Sequence, residues 1–321
     1  FQLFYKEAEK IAISKLHEEQ TIHAKQAARG IEEFFTTWTR NLGALARMNE
    51  VVANDDVGQR SLKYFYESNR QLVTSISRVD EHGVIIYNHP DSRTQGIDIS
   101  DQSHVRQLLR ERKPVISDVF RAVEGFDAVA VYAPVFSGAE FKGGVVVLID
   151  FESLAHHYVE VIQVGVTGYA WMLSRDGTIL YTPVPGLSGK SVSEATRNLP
   201  PLKRMVDRML AGEEGSTTYF YDQIGDQKVS TTRKYATYLP VSIGNTFWSI
   251  AVASAEQDVL SGLISFRNKL MWTVGVFFVG GMAFSVLGAK AWFIVSEEEK
   301  RLKVEAQLRD SERRFRQVAE A

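Results

Sequence analysis

From Ile31 the apolar positions of the chain fall at Ile31, Phe34, Phe35, Trp38, Leu42 and Leu45. That i, i+3, i+4, i+7, i+11, i+14 spacing places all six on one face of a helix. Upstream, Lys6 to Arg29 is more polar and carries a sparser stripe, Ile11 and Ile22. Residues 6–48 contain no proline, so the pattern predicts one long helix. A helix polar at one end and amphipathic at the other suits a strut that docks on a globular body. The opening stretch Phe1-Gln2-Leu3-Phe4-Tyr5 is too short to span a membrane. It reads either as an ordinary helix start or as the tail of an earlier membrane helix.

After residue 70 the period shortens. Ser75–Tyr87 alternates as strand, turn, strand around Asp80–Gly83. A polar loop (Asn88–Ser100) and a short helix (Ser103–Arg112) come next. The segments Val115–Phe120, Ala128–Phe136 and Gly144–Phe151 then read as strands, with Ser137-Gly138 and Gly143-Gly144 as punctuation. The order is β-β-α-β-β-β.

The same order then returns. Tyr169–Thr182 is a strand pair turning at Asp176-Gly177. A helix follows that opens on Pro200-Pro201, has Leu202, Met205, Val206, Met209 and Leu210 on its inner face, and stops at Gly212. Ser216–Tyr221, Lys234–Val241 and Phe247–Ala253 close the unit as strands. The halves share local wording: Tyr132-Ala133-Pro134-Val135 matches Tyr238-Leu239-Pro240-Val241, and Tyr87 and Tyr181 each end a first hairpin. Two tandem copies of one α/β module are therefore expected, each an antiparallel sheet with one or two helices against it. The fold class is α+β.

Leu270–Ala289 holds twenty consecutive residues without a charge. A helix of that length spans about 30 Å, the hydrocarbon thickness of a bilayer. Arg267, Lys269 and Lys290 flank it, and Trp272 and Trp292 sit near its ends, where amphipathic rings favour the membrane interface. A transmembrane helix over 268–295 is expected. The charged stretch beyond it (Glu297–Arg301, then Leu302, Leu308 and Phe315) reads as an exposed helix able to pair with a second copy.

Composition narrows the function. The chain has 321 residues, 45% hydrophobic and 24% charged, which fits a globular protein of about two domains plus the apolar segment. Net charge is −2, so nucleic acid is not an expected partner. There is no cysteine, which removes disulfides, thiol chemistry and cysteine-ligated metals. Gly186-Leu187-Ser188-Gly189-Lys190-Ser191 ends like a phosphate loop, but Val184 stands where that loop needs glycine. His156 and His157 are adjacent and diverge on a helix or a strand, so they do not form a shared metal site. His82 and His89 read as surface imidazoles. No catalytic constellation is present, and no metal or cofactor is expected.

A long N-terminal helix, two such modules in tandem and a closing apolar helix resemble the double Cache sensor domain of bacterial receptors. The resemblance covers roughly residues 6–260. Asp98-Ile99-Ser100-Asp101, Lys113–Asp118 and Gly144–Asp150 sit where that family has similar wording. It implies PAS-like modules and a division into a stalk helix (1–48), a membrane-distal module (49–158), a membrane-proximal module (159–258), the transmembrane helix (268–295) and a cytoplasmic helix (296–321). Asp310–Glu320 resembles the opening of a PAS domain. The implied protein is an inner-membrane, homodimeric receptor. Residues 6–260 would be periplasmic and the chain from 296 cytoplasmic. A two-component sensor histidine kinase is the expected output; a diguanylate cyclase, a chemoreceptor or an ectodomain without a ligand are the alternatives.

In that family the membrane-distal module holds a small ligand between its sheet and the segment around its short helix. The matching positions are Gln102, His104, Arg106, Ser117, Asp118, Phe120, Arg121, Tyr132 and Asp150. Asp150 ends an apolar strand and needs a partner: a ligand ammonium, Arg121 or a backbone amide. Amino-acid-binding members carry an arginine and then an aromatic pair where this chain has Gln102, His104 and Val105. Without that bidentate clamp an α-amino acid is disfavoured. An organic acid, an amine and no ligand at all remain open. The proximal module is expected to be a spacer.

Overall fold

In the computed structural model, which describes residues 2–196, 199–225 and 228–319, the first helix α1 runs Gln2–Leu45. Its buried positions include Leu16, Gln20, Ala24, Ala27, Ile31, Phe35, Trp38, Leu42 and Leu45, an unbroken i+3/i+4 face. Ile11 and Ile22, the stripe expected for its first half, lie 60% and 50% exposed. The contact there is made instead by alanines and a glutamine, because small residues let the helix sit close on a sheet. Gly30 serves the same end. A Cβ on it would stand 2.7 Å from the Tyr158 ring.

Two short helices follow, α2 (Asn49–Ala53) and α3 (Asp56–Asn69). Asp55 caps α3 by accepting from the backbone N–H of Val57 and Gly58. The first sheet is built from β1 (Ser75–Val79), β2 (Ile85–His89), β3 (Val115–Ile116), β4 (Phe120–Arg121), β5 (Asp127–Ser137) and β6 (Glu140–Asp150). Its order is β2-β1-β6-β5-β3, with β4 also on β5. Helix α4 (Ser103–Glu111) lies between β2 and β3 in sequence, and α5 (Phe151–Ala155) follows β6. The strand expected over Val115–Phe120 is broken at Ser117–Val119.

The second sheet contains β7 (Tyr169–Leu173), β8 (Ile179–Tyr181), β9 (Gly215–Gly225), β10 (Lys228–Ile243) and β11 (Thr246–Ala255), in the order β8-β7-β11-β10-β9. Helices α6 (Val192–Ala195) and α7 (Pro200–Leu210) precede β9. The two orders are the same, and so is the register. Val79 pairs Ile85 after a bulge, as Leu173 pairs Ile179. Tyr132 pairs Val146, as Tyr238 pairs Ala251. An isolated bridge joins Val84 to Asp98, and its counterpart joins Thr178 to Ser191. Gly83 and Gly177 close the equivalent turns at φ of +91° and +87°, where a side chain would be strained.

One face of both sheets packs on α1 in a single continuous core that includes Ile31, Phe35, Val131, Val147, Trp248 and Ile250. The opposite face of each sheet has its own core. The first lies under α4 (Val105, Leu108, Tyr132, Val146) and the second under α6 and α7 (Trp171, Leu202, Met205, Tyr219). Each sheet is therefore sandwiched between the strut and a local cover.

The last helix, α8, spans Glu256–Ala319. Within it, Ser265–Arg309 contains the stretch long and apolar enough to cross a membrane. Residues 261–321 form a unit of their own, apart from the compact unit of residues 1–260. The PAS-like stretch is helical through Ala319, and its last residue, Glu320, lies outside the described residues, as does Phe1.

Candidate ligand site

The outer face of the first sheet is where α4 and the β3–β5 segment fold over the strands. Helix α4 buries His104, Val105 and Leu108 and exposes Arg106. The β4–β5 connection is a tight turn. Ala122 N–H donates to Phe126 O at 2.9 Å and Gly125 N–H to Ala122 O at 3.0 Å. This turn carries Val123 and Glu124 over the sheet as a flap. Beneath it is a small cavity of about 20 Å³, walled by Ser77, Gln102, Phe120, Glu124, Tyr132 and Val146 together with Ile85, Ile99, Val123 and Leu148.

Two buried polar atoms on this side of the sheet find no protein hydrogen-bond partner among the described residues: Glu124 Oε2, at the cavity, and His104 Nε2, of a residue that lines the neighbouring cleft. Both are buried, so each bears a desolvation cost that a bound group can relieve. The His104 ring lies 4.3 Å from Phe120 and 5.6 Å from Tyr132, centroid to centroid. Burial pulls its pKa down to about 4, so the imidazole is neutral at physiological pH. Burial, and then the Glu124 carboxylate, push the Tyr132 phenol up.

On the far side of His104 and Phe120 lies an open cleft of about 280 Å³. It is bounded by Gln107, by the segment Pro114–Phe120 and by Asn245 and Thr246 of the β10–β11 hairpin. Asp118, in the broken strand between β3 and β4, accepts from Trp248 Nε1–H at 3.1 Å. Loss of water around its carboxylate raises its pKa, against the Trp248 hydrogen bond, although the residue keeps an exposed side.

The sequence-derived positions divide accordingly. Gln102, Phe120 and Tyr132 wall the cavity, and His104 backs it. Asp118 faces the cleft and the second sheet. The Ser117 hydroxyl is taken by the backbone, accepting from Ala130 N–H at 2.8 Å. Arg106 is exposed, and Arg121 is exposed and pairs with Asp127 at 3.1 Å. Asp150 caps α5, its Oδ2 accepting from Ser153 N–H at 3.1 Å and from the Ser153 hydroxyl at 2.6 Å. Glu124 was not among those positions. An acidic residue before glycine between two strands reads as a solvent turn, and only the fold brings it over the sheet. Among the described residues no group of three or more His, Asp or Glu is placed to hold a metal ion.

The Cache domain model matches residues 4–263. No curated protein sequence matches the chain. Among solved structures, an extracellular ligand binding receptor from Desulfohalobium retbaense is 21% identical over 73% of this chain, with a TM-score of 0.55. The match spans only 40% of that receptor. The extracellular domain of a protein assigned as a histidine kinase is 19% identical, covering 78% of this chain and 99% of its own, with a TM-score of 0.58. The ligand-binding domain of the Pseudomonas fluorescens chemoreceptor CtaA, solved with L-serine, is 15% identical, covering 77% and 99%, with a TM-score of 0.58. Identities this low show a shared fold. With the family model spanning the helix, both sheets and the start of α8, the chain belongs to the Cache domain family.

Proposed function

We propose that residues 6–260 are the extracytoplasmic sensor of a homodimeric membrane receptor, that the module of β1–β6 binds a small molecule bearing an amine, and that the output is a histidine kinase. The observation that carries the ligand reading is the unpartnered buried Glu124 Oε2 at a cavity that Phe120 and Tyr132 also wall. A carboxylate beside aromatic faces suits an ammonium group. Among the described residues no arginine or lysine walls the cavity to clamp a carboxylate in two hydrogen bonds.

The cavity is small, about 20 Å³. Binding therefore displaces the flap of β4 and β5 and the Phe120 ring. Asp118, two residues away, carries that movement to Trp248 in the second sheet. The second sheet in turn holds the start of α8. Asp258 accepts from Val166 N–H, Thr167 N–H and the Thr167 hydroxyl, and Glu256 pairs with Arg233 at 3.0 Å. The apolar stretch of α8 and the PAS-like residues after it support a relay to a cytoplasmic kinase.

Thermal shift of the full chain in detergent, against matched panels of small amines and organic acids, tests the ligand. Amines should raise the Tm and Glu124→Gln should abolish the rise. A response to acids alone, or one unchanged in Glu124→Gln, refutes the amine site.

A further inference from the structure

We infer that the module of β7–β11 holds a second ligand site, a pocket for a small uncharged aromatic molecule. It lies at the place in the second sheet that corresponds to the cavity of the first. Trp171 pairs Ala251 just as Ser77 pairs Val146, and Ile179 holds the post-bulge position that Ile85 holds. Ser77 and Ile85 wall the first cavity; Trp171 and Ile179 wall the second. Repetition of the fold thus gives two pockets in equivalent positions with different chemistry.

The second pocket measures about 190 Å³. Three aromatic side chains, Tyr169, Trp171 and Tyr219, line it, with Leu187 and Leu202 closing it from the cover. Among the described residues none of its walls is charged, and Thr182 and Thr196 are the polar ones that are not aromatic. The Thr196 hydroxyl is already engaged on Val192 O at 2.9 Å. An apolar cavity of about 150 Å³ is enough to hold benzene. The space here therefore takes one ring with a small substituent. Aromatic walls favour an aromatic guest through offset and edge-to-face contacts.

The polar end of the site is Tyr169. Its hydroxyl accepts from Lys234 Nζ at 3.0 Å, and the ammonium sits 4.3 Å from the ring centroid. This anchors the ring against the sheet and gives a guest hydroxyl or indole N–H a polar group to meet. A carboxylate guest finds no charged wall among the described residues, and an ammonium guest would face Lys234 behind Tyr169.

The test uses the full chain in detergent with indole and p-cresol as probes, followed by thermal shift and titration calorimetry. Both probes should give a saturable rise in Tm. Leu202→Trp, which fills the pocket from α7, should abolish it. Leu187→Trp fills it from the half-exposed loop and tests the same point if the α7 variant fails to fold. Glu124→Gln, at the cavity of the first sheet, should leave the aromatic response intact while removing the amine response, so the two sites fail separately. Absence of a saturable response in the wild type, or a response that survives Leu187→Trp, overturns the second site.

Discussion

Trp248 Nε1–H donates to Asp118 Oδ1 across 3.1 Å, and this bond joins the second sheet to the broken strand beside the first cavity. The two ends differ in burial. Trp248 is fully buried, with Phe35 of α1 and Phe151 each 5.7 Å from its ring, edge-on. Asp118 keeps a solvent-facing side in a segment of irregular backbone. Trp248→Phe retains an aromatic ring but removes the donor and part of the core volume. A loss of about 2 kcal/mol in unfolding free energy is expected. Hydrogen exchange should also change. An amine that alters protection in β11 of the wild type should no longer do so in Trp248→Phe. Persistence of the β11 response would show that the bond does not carry the signal.

Asp118→Asn separates the hydrogen bond from the charge. The amide oxygen still accepts from Trp248. The carboxyl pKa is raised in the folded protein, so the folded state holds its proton to higher pH than the unfolded chain. Stability from this group is present at acid pH and lost as pH rises through the raised pKa. Asp118→Asn should flatten that decline, measured as Tm against pH from the ordinary carboxylate range upward. A decline that survives the substitution would place its origin elsewhere.

His104 works in the other direction. Its folded pKa of about 4 lies below the unfolded 6.5, so between these values the unfolded chain is protonated and the folded one is not. Stability is fully present above pH 6.5 and falls as pH drops toward 4. The loss reaches about 3 kcal/mol at most. His104→Phe should remove this slope. Urea midpoints at pH 7 and pH 4.5 should then converge, whereas a slope unchanged in the variant would show that other groups cause it.

Much of this architecture was legible in the chain, for identifiable reasons. The strands announce themselves through β-branched runs such as Val145–Ile149. The repeat shows in Tyr132–Val135 and Tyr238–Val241. The first half of α1 was harder to read. Its docking face uses Gln20, Ala24 and Ala27, which carry little hydrophobic signal, while the apolar Ile11 and Ile22 face solvent. Asp150 was ambiguous for a similar reason. A carboxylate at a strand end and a helix N-cap have the same sequence appearance until the next residues turn into α5. Glu124 was invisible because its burial depends on a flap closing over a distant strand.

Lys234 sits 8% exposed in β10, and burial lowers its pKa to about 8. The unfolded value is 10.5, so between pH 8 and 10.5 the unfolded chain holds a proton that the folded one has released. Stability from this group therefore increases with pH across that window, and below pH 8 the charged form costs up to about 3 kcal/mol. Lys234→Met fills the space without a charge and should raise Tm at pH 7. It should also remove the alkaline rise. A lower Tm at pH 7 would mean that the bond to Tyr169 outweighs the cost of burial.

Gln20 is the polar hinge between strut and sheet. It is fully buried; its Nε2 donates to Tyr235 O at 2.8 Å and its Oε1 accepts from the Thr237 hydroxyl at 3.3 Å. These bonds connect α1 to β10 only through the side chain, since a helix has no free backbone groups in its interior. Gln20→Leu fills the volume but leaves Tyr235 O and Thr237 without this partner at a closed interface. A cost of about 2 kcal/mol is expected. Gln20→Glu keeps the acceptor but presents an oxygen to Tyr235 O and buries a charge, so it should cost more at pH 7 than at pH 4. Chemical denaturation at the two pH values decides this. A Gln20→Leu variant as stable as the wild type at pH 7 would show that the α1–β10 contact is held by Leu16, Ala24 and Ile31 and that the glutamine adds little.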